Sequence, residues 1–118
     1  MRRLLGAGNV ATCRLSEAEV ASAVVRRWRE GVLSASERDR TLTALREDLE
    51  RMDVVEILPE VSRRTHALLV RHRLRAGDAL QLAACLHLRE QAALPAEFVA
   101  FDERLLAAAT AEGLAVVP

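Results

Sequence analysis

Three acidic residues stand at comparable points along the chain. Glu19 lies one turn into a predicted helix, Asp78 heads the run DALQLAACLHL, and Asp102 closes the apolar stretch Phe98-Val99-Ala100-Phe101. A carboxylate set where a helix or strand enters the interior is costly unless something answers its charge. Gathered at one edge, such groups repel and raise one another's pKa, and hard cations relieve the repulsion. Oxygen-rich sites of carboxylates and waters suit Mg2+ or Mn2+. Each acid also has a purely structural reading. Glu19 has the spacing of the reciprocal arm of a Ser16 capping box. Asp78 and Asp102 suit N-cap or first-turn positions, where the helix dipole favours an acid by roughly 0.3–1 kcal/mol. Taken singly, the residues leave both readings open.

Other chemistries find less support. Cys13 and Cys85, with His66, His72 and His87, lack the paired spacing of a zinc site. Cys85 and His87 project from different faces of one helix, which makes a poor nucleophile–base dyad. No glycine-rich phosphate loop is present. Trp28 and the two Phe suit core or partner contacts better than base stacking, since aromatics are only 3% of the chain. The charges are unevenly placed. Arg63, Arg64, Arg71, Arg73 and Arg75 fall together without an acid, whereas residues 90–112 hold Glu90, Glu97, Asp102, Glu103 and Glu112 against Arg104 alone. A basic stretch beside an acidic one suits a site that handles a phosphate polymer through metal ions, with Arg73, Arg75 and Arg104 on flanking phosphates. Two solvated helix faces would look the same.

Positioning these residues requires a particular order of elements. Asn9–Thr12 reads as a short strand, followed by a helix from Ser16 to about Glu30 and a stop at Gly31. Ser34-Ala35-Ser36-Glu37 is a capping box opening a helix to about Met52 that buries Leu42, Leu45 and Leu49. Val54 to Leu58 reads as a strand, and Glu60 to about His72 as a helix burying Val61, Ala67, Leu68 and Val70. Residues 74–94 form a fourth helix, and residues 98–101 a strand buried on both faces of a parallel sheet. A short helix from Glu103 to Glu112 ends at Gly113, and residues 114–117 are the last strand. Strands alternating with helices imply one α/β domain over residues 1–118, with a mostly parallel sheet whose site lies beyond the strands' carboxyl ends.

Composition bounds the rest. The 118 residues are 51% hydrophobic and 29% charged with net charge +0, so no bulk field recruits nucleic acid or a membrane. All 17 basic residues are Arg, which fits a GC-rich bacterial genome. MRRLLGAGNV is too short and too interrupted by Asn9 for an export signal, and two distant thiols then imply a reduced, cytoplasmic setting. The uncharged run Ala79–Leu88 is far too short to cross a bilayer.

The segments TCRLSEAEVASAVVRRWREG, LRAGDALQLAAC and FVAFDERLLAAATAEGL, in this order, resemble the PIN domain of VapC-type toxins from bacterial toxin–antitoxin pairs. The resemblance implies a three-layer α/β/α fold and a Mg2+- or Mn2+-dependent ribonuclease. Glu19, Asp78 and Asp102 would then be its catalytic metal ligands, RNA its substrate, and a homodimer or a complex with a cognate antitoxin protein its assembly. The helices at 15–30 and 36–52, with Val24, Val25, Trp28, Leu42 and Leu45, would grip that partner. No membrane is involved.

One part of the family pattern has no counterpart here. PIN domains begin with a central strand ending in Asp, then a first helix; Arg2-Arg3-Leu4-Leu5 instead matches the end of the family's second helix. The chain therefore reads as N-terminally truncated, through a late start codon or as a natural remnant. An open slot is expected between residues 9–13 and 98–101, leaving the chain unstable unless strands re-pair or copies dimerise there. Weak metal binding and little ribonuclease activity would follow. The alternatives are a catalytically inactive PIN remnant acting as a partner-binding module, or an unrelated α/β binding domain.

Overall fold

A computed structural model describes residues 2–4, 10–92, 96–100 and 102–117. Its elements, in chain order, are β1 (Arg2–Leu4), β2 (Val10–Cys13), α1 (Leu15–Arg29), α2 (Ala35–Glu50), β3 (Asp53–Val55) and α3 (Pro59–Arg71). They continue with α4 (Ala76–Ala92), β4 (Ala96–Val99), α5 (Glu103–Ala111) and β5 (Ala115–Val117). The strands form one sheet in the order β3-β2-β1-β4-β5. β2 runs parallel to β3 and β4 to β5, whereas β1 is antiparallel to both β2 and β4. All the strands but β1 therefore share one direction, and the architecture is the α/β/α type with a mostly parallel sheet.

Local sequence explains most boundaries. Gly31 takes φ +79° and ends α1, where its N–H and that of Val32 bond back to the carbonyls of Trp28 and Arg27. The Ser34–Glu37 capping box forms as expected, each side chain accepting from the other residue's N–H at 3.0 Å. Pro59 sits in the first turn of α3, where its missing N–H costs nothing.

The core lies around α4. Ala79 and the unbroken run Leu82-Ala83-Ala84-Cys85-Leu86 are buried, against Val61 and Leu68 of α3, Phe98 of β4, and Leu105 and Leu114. Burial on most sides is why this helix shows little amphipathic pattern. Each large apolar side chain so enclosed contributes about 1.5–3 kcal/mol of transfer free energy.

Several expectations are corrected. Residues 2–4 form a strand and not the end of a helix. That strand lies between β2 and β4, so the slot expected to be open is filled. The register pairs Arg2 with Ala11 and Phe98, and Leu4 with Ala96. Backbone groups that would each cost about 1–3 kcal/mol if buried without a partner are thereby laddered. Antiparallel neighbours need only a short connection, and five residues separate β1 from β2 in the sequence. The strand after α2 stops at Val55, leaving Ile57 and Leu58 exposed. On α3, Thr65 takes the buried position, while Ala67 is exposed and Val70 is 87% exposed. Asn9 and Phe101, assigned above to strands, lie outside the described residues, as do residues 93–95.

The two charged stretches neutralise each other in part. Arg64 of α3 bonds Glu90 of α4, and Arg71 holds Glu112 with two bonds of 2.9 and 3.0 Å. The reading of solvated helix faces is right for these pairs. Such exposed pairs are worth roughly 0–1 kcal/mol each. Arg73, Arg75 and Arg104 make no ion pair among the described residues, and they converge elsewhere.

Candidate active site

Glu19, Asp78 and Asp102 line one pocket of about 470 Å3, together with Arg73, Leu74, Arg75, Gly77 and Arg104. Three connections build it. β2 ends at Cys13 and leads into α1, one turn of which carries Glu19. β4 ends at Val99, and Asp102 follows as the N-cap of α5. The segment from α3 to α4 supplies the remainder. His72 is extended there, and Leu74 packs on the core, so Arg73 and Arg75 stay exposed at the pocket. The site therefore lies beyond the carboxyl ends of β2 and β4, as parallel sheets favour.

The structural reading of each acid fares differently. Glu19 is not the arm of a capping box, because the α1 N-cap is Arg14 and makes no side-chain cap bond. Ser16 instead lies 2.7 Å from the Thr12 hydroxyl and accepts from the Gln81 amide at 2.8 Å. Gln81 also donates to Glu19 Oε1 at 3.0 Å. Asp78 belongs to the first turn of α4 and accepts no hydrogen bond among the described residues. Asp102 does cap its helix: Oδ1 accepts from the N–H groups of Arg104 (2.8 Å) and Leu105 (3.1 Å).

Electrostatics single out Asp78. Partial burial pushes its carboxyl above the usual value of 3.8, Asp102 and then Glu19 push it further, and Arg75 pulls it back. The carboxylates therefore repel one another across one pocket, a local demand for positive charge that the arginines only partly meet. Such a donor set fits a hard divalent cation. Among the described residues, no three His, Cys, Asp or Glu side chains are packed tightly enough to cage an ion. An ion here would keep several of its waters, which is the habit of Mg2+.

Two contributors were not foreseen. Gln81 is an uncharged polar residue within the apolar run of α4, three positions after Asp78, and that interruption was its only signal in the sequence. Gly77 lines the pocket beside Glu19, and a Cβ there would meet Glu19 Oε2 at 3.4 Å, an ordinary van der Waals contact.

The model of the PIN domain family matches residues 1–111, nearly the whole chain. No curated protein sequence matches it. With its acids brought to one pocket beyond the strand ends, the chain belongs to the PIN domain family.

Proposed function

We propose that this PIN domain is a VapC-like toxin ribonuclease that cleaves RNA phosphodiesters using carboxylate-bound Mg2+ or Mn2+. PIN domains are in general metal-dependent and nuclease-like. The observation that carries the finer reading is the shared pocket: three carboxylates on its walls and three arginines around them. Glu19, Asp78 and Asp102 would hold the metal, with Gln81 fixing Glu19 and the α5 N-terminus fixing Asp102. A bound divalent cation would supply an activated water and charge stabilisation at the phosphate. The chain's own residues orient the acids, while Arg73, Arg75 and Arg104 neutralise the incoming backbone. A cognate antitoxin or a second copy would dock on the α1–α2 pair, where Val25, Trp28, Leu42 and Leu45 are half-buried and Val20 and Val32 exposed, whereas Val24, expected on that surface, is buried in the core.

A second reading has its own observation. The strand at the sheet centre, Arg2-Arg3-Leu4, carries no carboxylate, and the first acid in the sequence is Glu17. In the family pattern the central strand ends in Asp, so these 118 residues hold one ligand fewer and would bind metal weakly. This reading is an inactive, partner-binding PIN remnant. Cleavage of a labelled single-stranded RNA decides between them, measured with Mn2+, Mg2+ or EDTA. Metal-dependent cleavage that Asp78→Asn abolishes supports the ribonuclease. No cleavage at saturating metal supports the remnant, and cleavage persisting in EDTA or in Asp78→Asn refutes the site.

A further inference from the structure

Beside the acid pocket lies a second cleft of about 410 Å3, lined by Arg71, His72, Arg73, Arg104, Ala107 and Ala108. We propose that it is a phosphate subsite for an RNA strand, receiving the phosphodiester next to the one held at the carboxylates. The assignment rests on the ribonuclease reading above. Its volume falls within the roughly 300–1,000 Å3 of small-ligand clefts. No carboxylate lines it, whereas the acid pocket has three.

Arg73 and Arg104 line both cavities, so the two are adjoining stations with shared walls. A strand with one phosphate at the acids passes these guanidiniums to place its neighbour in the cleft. Neither side chain has an ion-pair partner among the described residues, so both charges remain available to a phosphate. The far wall is built differently. Glu112 accepts two bonds from Arg71, at 2.9 and 3.0 Å, and stands 2.8 Å from His72 Nε2. This cluster joins the end of α3 to the end of α5 and fixes the wall in place. Ala107 and Ala108 leave the α5 side low, so a sugar–phosphate backbone approaches without a clash.

The test is binding of a labelled single-stranded RNA oligonucleotide in EDTA, so that neither metal nor cleavage enters the reading. Ala107 is exposed on α5, and Ala107→Glu puts a negative charge into the cleft without touching the core. The control is Ala44→Glu, the same charge change on the exposed face of α2. Ala107→Glu is expected to weaken binding severalfold and to lower the slope of log affinity against log salt by roughly 0.7, one phosphate contact on a single strand. Ala44→Glu is expected to bind like the wild type. Equal binding by wild type and Ala107→Glu overturns the subsite, even if the protein cleaves RNA with metal. Absence of measurable RNA binding by the wild type overturns it as well. Loss in Ala107→Glu with binding intact in Ala44→Glu sustains the subsite even where cleavage fails.

Discussion

Asp78→Asn should change the sign of its effect on stability when a divalent metal is added. Without metal, the wild-type carboxylate is disfavoured by partial burial and by the charges of Asp102 and Glu19. Asn keeps the shape and removes the charge. It forgoes about 0.3–1 kcal/mol of first-turn dipole stabilisation, and solvent screening limits the repulsion relieved, so the gain is small and positive. At about 2.1 cal/mol/K per residue, 118 residues have an unfolding entropy near 0.25 kcal/mol/K, so 1 kcal/mol moves Tm by about 4 °C. With metal at ten times its Kd, the wild type gains about 1.4 kcal/mol, or about 6 °C, and the variant loses most of that shift. Acidity supplies a further sign. Asp78 binds its proton more tightly when folded, so metal-free wild-type stability falls as pH rises from about 3.8 through the raised value. The variant's advantage should vanish as pH drops through that window. The assay is thermal melting of both proteins with EDTA and with Mn2+, between pH 4 and 8. Equal metal shifts in the two proteins, or a variant clearly less stable in EDTA, would refute the reasoning.

The fixed wall of the second cleft should respond to acid in the opposite sense. Arg71 holds the Glu112 carboxyl below its usual value of 4.5, with His72 adding to the effect, so this stabilisation is present above pH 4.5 and lost as pH falls through the lowered value. Glu112→Gln should therefore cost up to about 1 kcal/mol at pH 7, discounted because Arg71 is half exposed, and little at pH 3 by denaturant melts. Phe98→Ala should cost about 3–5 kcal/mol, because this 2% exposed ring sits in the core behind the site, and urea titration reads the loss directly. Ser34→Ala removes one arm of the α2 capping box and should lower stability by about 1 kcal/mol, or about 4 °C in Tm.

Much of the architecture was legible because periodicity and caps are local signals. Gly31, Ser34 and Gly113 marked their boundaries, and the apolar stretch around Phe98 announced a strand, although among its described residues Phe98 alone is buried and the others are half-buried. The failures came where a long-range partner decided the outcome. Ser16 and Glu19 have capping-box spacing, yet Gln81 from a distant helix bonds to both side chains. Val70 has the period of a buried residue, but α3 turns Thr65 and Leu68 inward. Arg2-Arg3-Leu4 carries no strand signature; its state follows from the vacancy between β2 and β4. For the site, the sequence named the three acids, and the fold supplied their common pocket. Which arginines pair with Glu90 and Glu112, and which face the acids, required the tertiary structure.

Because β1 runs against its neighbours, the sheet is two parallel pairs, β3-β2 and β4-β5, joined by a strand of three residues. Each parallel pair is closed by helices that cross the sheet, whereas within the sheet the two pairs meet only through the ladders on either side of β1. This strand is a short joint in the middle of the sheet. If it leaves, both halves keep their own ladders and remain tied through α4, which packs against β2 and β4 alike. Cohesion between the halves, and with it the spacing of Glu19 on one and Asp102 on the other, is then set by the short ladders on either side of β1. Any extended segment able to hydrogen-bond with β2 and β4 would compete for the same groove, and in winning it would reset the distance between the acids.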